Sequence, residues 1–148
     1  VRKDILGKVN RKLPGMMDYR QHIEAGSMLN TPPVFAVYVC LLTLRWLKKQ
    51  GGVAGIEKIN REKAALLYKT LDAKQGFELP VAIEDRSRMN VVFRIPDPLL
   101  EKKFLDACQQ QGRVGVKGHR SVGGFRISLY NALPPESGKA LTTLINEL

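Results

Sequence analysis

An apolar run in the first third of the chain constrains its fold more than any other feature. Residues 34–47 are apolar apart from Thr43 and Arg45, and two lysines and a Gly-Gly pair follow closely. A bilayer span needs about 20 apolar residues, so this run predicts no membrane segment. Because apolar side chains occur all round the helical circumference, the pattern predicts a long helix over residues 31–50 that is buried on nearly every side.

The remainder of the chain alternates between helical and strand patterns. We expect, in order, a helix at about 55–74, a strand at 89–95, a helix at 98–111, short strands at 113–117 and 125–129, and a helix from 134. The resulting β-α-β-β-α order predicts an α+β fold in which helices cover one face of a small, mainly antiparallel sheet. Residues 1–30 show no sustained periodicity, and we expect strand ends and loops there.

The chain is strongly basic, with a net charge of +10 over 148 residues. Such an excess is typical of nucleic-acid-binding proteins, which neutralise phosphates with clustered Lys and Arg. Here, however, no run of five basic residues occurs, no helix-turn-helix or zinc-finger pattern is present, and aromatic residues make up only 7% of the chain. We therefore expect no nucleic acid as a partner.

Cysteine and histidine usage argues against a metal site. Cys40 and Cys108 lie far apart in apolar helical segments, without the spacing of metal ligands, and the chain has only two histidines. The pattern predicts buried, free thiols. Free thiols are typical of reducing compartments, so we expect a cytoplasmic protein.

A basic, glycine-rich stretch is the first candidate binding site. Residues 118–131 contain His119 and Arg120 ahead of a Gly-Gly pair, and Arg126 two residues after that pair. Guanidinium groups bind carboxylates and phosphates through paired, planar hydrogen bonds, so the stretch suits an anion with two charged ends. The pattern also fits a simpler interpretation, in which Arg126 is a solvated strand residue and His119 forms a structural hydrogen bond.

The second candidate site lies directly before the long apolar run, where Asn30 and Thr31 precede Pro32 and Pro33. One interpretation is a capped helix N-terminus. The other is an anion held near that terminus. Because proline has no N–H group, an anion there has to be bound by the Asn30 amide, the Thr31 hydroxyl and neighbouring main-chain N–H groups.

Several separate motifs, taken in order, resemble the phosphoserine aminotransferases, a family of class-V, fold-type I enzymes. The matching segments are Asn30–Pro33, Gly51–Val53, Ser87–Val91 and Gly118–Asn131, and the resemblance runs from Val1–Gly7 to the final helix. It implies a homodimeric enzyme that uses pyridoxal 5′-phosphate and transfers an amino group in serine biosynthesis. The implied substrates are glutamate or 2-oxoglutarate, and phosphoserine or 3-phosphohydroxypyruvate.

The resemblance also implies roles for the candidate residues. Arg126 matches the position that orients the carboxylate present in both substrates, and His119 and Arg120 match positions near the substrate phosphate. Asn30 and Thr31 match positions that reach the cofactor phosphate of the neighbouring subunit. Each active site would then be shared between two subunits.

By the same resemblance, residues 1–48 are the C-terminal end of the large cofactor-binding domain with a connecting helix, and residues 49–148 are the small domain. The Schiff-base lysine of the family lies upstream of the segment that matches Val1–Gly7, and no lysine here matches it by motif. We therefore expect a C-terminal part of the enzyme that is inactive alone and does not bind the cofactor tightly. Two alternatives stay open: another class-V aminotransferase, and a non-catalytic module that binds anions or nucleic acid.

Overall fold

The computed structural model describes residues 1–148, which form two units, Val1–Trp46 and Leu47–Leu148. The first unit contains two short 3-10 helices, followed by helix α1 (Tyr19–Glu24) and helix α2 (Val34–Lys49), whose last residues pass into the second unit. None of the helices in the chain combines the length and the hydropathy that a membrane span requires.

The prediction of strand ends in residues 1–30 was wrong, because this segment contains only short helices and loops. Local hydrogen bonds account for the difference at α1. The Asp18 carboxylate accepts from the main-chain N–H of Arg20 at 3.1 Å and so caps the helix. A helix of six residues is too short to show a period in the sequence, so a local cap was its main signal.

The position of α2 was predicted well, but its burial was predicted wrongly. None of its sixteen residues is buried, and the Phe35 side chain is 80% exposed. Cys40 lies on α2 and is exposed as well, which corrects its expected burial. An apolar composition shows that a helix is able to bury its surface, whereas burial itself needs residues that cover the helix, and the first unit supplies none for α2.

The second unit contains three α-helices, one short 3-10 helix (Ile83–Asp85) and two strands. In chain order the α-helices and strands are α3 (Gly52–Ala73), β1 (Asn90–Phe93), α4 (Pro98–Gln110), β2 (Phe125–Ser128) and α5 (Pro135–Glu147). The Asp97 carboxylate accepts from the main-chain N–H of Leu99 at 2.9 Å and caps α4, which begins at the predicted residue 98. These elements confirm the α+β fold class.

The sheet has two antiparallel strands, β1 and β2, in a register that places Val92 opposite Arg126. The strand predicted at 113–117 is reduced to one bridge between Lys117 and Phe125. Gly115 has a φ of 72°, which interrupts the extended backbone that a continuous strand needs.

Aromatic rings hold β2 against the helices. The rings of Phe93 and Phe125 stack with centroids 5.1 Å apart, and the Phe104 ring meets Phe125 edge-on at 4.9 Å. Such pairs contribute about 0.5–1.5 kcal/mol beyond the area that they bury. Around them pack buried side chains of α3 and α5, namely Leu67, Leu71, Leu141, Leu144 and Ile145. The side chains on the inner face of β2 are therefore held in the core, and this packing fixes the direction in which side chains on the outer face point.

Candidate functional site

Arg126 lies on the outer face of β2. Its neighbours in the strand, Phe125 and Ile127, are buried, whereas Arg126 is exposed. Its main-chain N–H donates to the Val116 carbonyl at 2.9 Å, which fixes the backbone from the side opposite β1. Its guanidinium forms no ion pair within the chain. A rigidly based cation without a partner is available to an anionic ligand.

A pocket of about 200 Å³ lies beside this strand. Its lining combines part of β2 with the segment before the glycine-rich loop and with α5, through Arg113, Val114, Gly115, Val116, Arg126, Ile127, Ser128, Leu133, Ser137 and Leu141. Arg113 was not singled out from the sequence, where it follows a helix-ending glycine without any motif. One of its terminal nitrogens, Nη1, is buried without a hydrogen-bond partner, and Nη2 donates to Oε1 of Gln111 at 2.6 Å.

The loop Gly118–Gly124 is closed at its base. The N–H of Gly118 donates to the Gly124 carbonyl at 2.8 Å. Gly124 has a φ of 64°, and a Cβ atom there would lie 2.7 Å from the Phe93 carbonyl oxygen. Glycine is therefore required where the loop passes the end of β1. Because the loop is closed in this way, His119 and Arg120 lie on a loop whose base adjoins β2, the strand that carries Arg126.

His119 and Arg120 are both exposed on this loop. The Nδ1 atom of His119 lies 2.7 Å from Oγ of Ser121, and the main-chain N–H of Ser121 donates to the same Nδ1 at 3.3 Å. The structural hydrogen bond considered for His119 is thus present. It occupies only one ring nitrogen, so Nε2 is available to a ligand.

Arg61, Arg86 and Arg88 of the second unit are paired with carboxylates. Arg86 forms a two-pronged contact with the Asp72 carboxylate, at 2.7 and 2.9 Å, and this contact holds the pKa of that carboxyl below its usual range. Arg88 donates to Oε1 of Glu57 at 2.9 Å. Neither Arg120 nor Arg126 has a carboxylate partner, and neither do Arg94 and Arg113, so the predicted binding stretch contains two of the four guanidinium groups in this unit that form no ion pair.

The motif segment Ser87–Val91 has a structural explanation. The hydroxyl oxygen of Ser87 accepts from the main-chain N–H groups of Met89 and Asn90, both at 3.1 Å. This turn sets the start of β1. No substrate role is needed to account for it.

Asn30 and Thr31 belong to the first unit, and both are exposed. Helix α2 begins at Val34, directly after Pro33, so neither residue is in the position of a helix cap. The Asn30 amide donates one N–H to the Thr31 carbonyl at 3.1 Å. Its second N–H and the Thr31 hydroxyl have no partner in the chain, and neutral donors of this kind fit the oxygens of a phosphate.

A buried lysine supports the far end of β2 and was missed by sequence reasoning. Lys63 of α3 is 2% exposed, and its ammonium group donates to the carbonyls of Leu129, Tyr130 and Leu133 at 3.2, 2.9 and 3.1 Å. Burial lowers the pKa of Lys63. In the sequence this lysine is indistinguishable from the exposed lysines of the same helix.

Known proteins resemble this chain from one end of the chain to the other. The phosphoserine aminotransferase of Porphyromonas gingivalis is 52% identical over 149 aligned residues, which cover 99% of this chain and 41% of the relative. That of Laribacter hongkongensis is 51% identical over 148 residues, with the same two coverages. The chain therefore spans about two fifths of the length of the curated relatives that it matches.

Solved structures agree with this comparison. A phosphoserine aminotransferase from Bacillus circulans subsp. alkalophilus superimposes with a TM-score of 0.84 at 41% identity, covering 99% of this chain and 41% of the other. A PLP-bound phosphoserine aminotransferase from Trichomonas vaginalis gives a TM-score of 0.78 at 38% identity, covering 93% and 40%. The family profile described as aminotransferase class-V matches residues 2–139. The chain belongs to the class-V aminotransferase family.

Proposed function

We propose that the chain forms the C-terminal part of a phosphoserine aminotransferase, and that Arg126 binds the carboxylate shared by its two substrates. Those substrates are glutamate or 2-oxoglutarate and phosphoserine or 3-phosphohydroxypyruvate. The observation that carries the proposal is the unpaired guanidinium of Arg126, exposed on a strand whose inner face is fixed by the core. The names of the relatives that align with 99% of this chain support the proposal.

Position explains why one residue is able to serve both substrates. Each substrate has a carboxylate next to the carbon that gains or loses the amino group. A guanidinium binds such a carboxylate through two parallel hydrogen bonds, which fix orientation as well as distance. Because the backbone of Arg126 is held by β1 on one side and by Val116 on the other, the reacting carbon is presented in a constant position.

The two substrates differ at their other end, where one has a phosphate and the other a carboxylate. His119 and Arg120 are the exposed donors of the loop that leads into β2. Arg120 supplies charge, and His119 supplies a donor of fixed direction. We assign this pair to the phosphate end, because a dianion gains more from a nearby cation than a single carboxylate does.

Pyridoxal 5′-phosphate, when bound, supplies the electron sink that makes amino-group transfer possible. Asn30 and Thr31 would contact its phosphate as neutral donors, from the subunit opposite the one that holds the cofactor. Lys63, the buried lysine of the chain, is engaged by three carbonyls and is not available for covalent attachment. No other lysine matches the Schiff-base lysine by motif, so the chain alone is expected to be inactive and not to bind the cofactor tightly.

The exposed apolar surface of α2 also supports a larger assembly. An exposed apolar helix of this size is uncommon in a protein that acts alone. We propose that the rest of a longer aminotransferase covers this surface, with residues 1–48 in its large domain and residues 49–148 as its small domain. The complete enzyme is proposed to be a homodimer, and its free cysteines favour the cytoplasm.

Steady-state kinetics of the Arg126→Ala variant of the complete enzyme test the proposal. We expect kcat/KM to fall by about 100-fold or more for both substrates, because a charge-assisted, paired contact is lost. Lys69→Ala is the matched control, since it removes an exposed cation from the outer surface of α3. Unchanged kinetics in Arg126→Ala would rule out the assignment, and activity towards other amino acids only would indicate another class-V enzyme.

A further inference from the structure

The contact between Ser121 and His119 determines which ring nitrogen of His119 carries the proton. The main-chain N–H of Ser121 lies 3.3 Å from Nδ1 of His119 and points towards it. An amide N–H is able only to donate, so Nδ1 has to accept. A neutral imidazole whose Nδ1 accepts carries its proton on Nε2.

The hydroxyl of Ser121 strengthens the same assignment. Its Oγ lies 2.7 Å from Nδ1, which is a short hydrogen bond. Because Nδ1 already accepts from the amide, the hydroxyl donates to it too, and two donors from one residue converge on one nitrogen. Because a hydroxyl is able to donate or to accept, the amide N–H sets the direction, and the hydroxyl adds a second, shorter contact in that direction.

The other ring nitrogen is directed away from these contacts. Nε2 of His119 has no partner within the chain, and the residue is exposed. With the proton on Nε2, the ring offers a donor to a ligand. With the proton on Nδ1, it would offer a lone pair, which repels an anionic oxygen.

We propose that Ser121 is a positioning residue that holds His119 in the Nε2–H form, so that the ring donates a hydrogen bond to an oxygen of the substrate phosphate. The proposal deepens the proposed function and rests on it. Ser121 acts through His119 and has no contact of its own with the substrate. It also favours the phosphorylated substrate, because a phosphate dianion gains more from the Nε2–H donor than the single carboxylate that glutamate has at the same end.

Imidazole ¹⁵N chemical shifts of this chain test the tautomer directly. They are recorded at alkaline pH, where histidines are neutral. His119 is expected to give a proton-bearing Nε2 and a proton-free Nδ1. Ser121→Ala keeps the amide N–H and removes only the hydroxyl, so it should move the two shifts part of the way towards each other, and Ser121→Thr, which keeps the hydroxyl, should restore them. A proton-bearing Nδ1 in the parent, or unchanged shifts in Ser121→Ala, would overturn the proposal.

His22 provides the internal reference for these spectra. It is the second of the two histidines, and its Nε2 donates to the Met16 carbonyl at 3.0 Å. Its shifts should stay constant in every Ser121 variant, since its partner is unchanged. The His22→Asn variant assigns the signals. Because no substrate is present, this measurement is independent of whether the proposed reaction is correct.

Kinetics of the complete enzyme supply the second test. Ser121→Ala should raise KM for the phosphorylated substrate by about 3- to 10-fold, the value of one hydrogen bond, and raise KM for glutamate less, because its single carboxylate gains less from the same donor. In a His119→Ala background the same substitution should have no further effect, because its partner is gone. Equal losses for both substrates, or additive losses in the double variant, would contradict a role through His119. If Arg126→Ala left the kinetics unchanged while the ¹⁵N shifts agreed with the prediction, the proposed function would fail and the tautomer assignment would stand.

Discussion

Lys63 of α3 donates a hydrogen bond to the Tyr130 carbonyl at 2.9 Å, across 67 positions of the chain. With its further bonds to the carbonyls of Leu129 and Leu133, each N–H of the ammonium group has an acceptor. These carbonyls follow β2 directly. The strand that carries Arg126 is thus tied to α3 at its C-terminal end, beyond the last pair of the sheet.

Replacing Lys63 by methionine should destabilise the chain by about 1–3 kcal/mol, because acceptors in a mostly buried position lose their donor. Urea unfolding followed by circular dichroism measures the change. Lys69→Met on the exposed side of α3 is the control and should have little effect. Equal stability of the two variants would show that the three carbonyl contacts contribute nothing.

Stability should also depend on Lys63 through pH. Burial lowers the pKa of Lys63 in the folded chain, so at alkaline pH the unfolded chain binds more protons than the folded one. The unfolding free energy of the parent should then rise with pH between the lowered and the ordinary pKa, and this gain is lost as the pH falls through the lowered value. Urea midpoints from neutral to alkaline pH, compared with those of Lys63→Met, isolate this slope. A parallel pH dependence in both proteins would contradict it.

Gly124 should tolerate alanine less well than its neighbour Gly123. Both have a positive φ, at 64° and 73°, but only at Gly124 would the new Cβ meet a main-chain oxygen, that of Phe93. We expect Gly123→Ala to cost about 1 kcal/mol and Gly124→Ala about 3 kcal/mol. Thermal unfolding measures the loss of stability in each variant: Gly123→Ala reports backbone strain alone, and Gly124→Ala reports the same strain together with the clash against the Phe93 carbonyl oxygen. Identical losses would mean that the loop is free to move away from β1.

Arg120→Ala in the complete enzyme should weaken the phosphorylated substrate more than glutamate. The guanidinium of Arg120 has no partner in the chain, and a dianion is attracted to it more strongly than a single carboxylate. We expect KM for the phosphorylated substrate to rise about 10-fold or more and KM for glutamate to change little. Steady-state kinetics with each substrate varied in turn measure the difference. The same rise for both substrates would count against the phosphate role.

Local signals predicted a large part of the fold. The helices predicted from residues 98 and 134 begin at Pro98 and Pro135, where Asp97 caps α4 and a proline pair opens α5. The strand pattern at residues 89–95 marked β1, which spans Asn90–Phe93. These signals act within a few residues of the chain, so the sequence alone is sufficient to reveal them.

Features that depend on distant contacts were not predictable in this way. The exposure of α2 depends on whether another surface covers it, and the role of Lys63 depends on a turn 66 to 70 positions away. For the candidate site, the stretch that holds His119, Arg120 and Arg126 was identified by its composition. The contact of Ser121 with His119 spans only two positions, but it depends on the backbone conformation of the loop, which composition does not encode.

The alternation along β2 limits how this family is able to evolve. Phe125 and Ile127 point into the aromatic cluster, and Arg126 between them points out. One residue gained or lost inside the strand would turn the guanidinium into the cluster and expose a ring in its place. Insertions and deletions in related sequences should therefore occur outside β2. A one-residue insertion or deletion within β2 should be selected against, even where every other side chain is conserved.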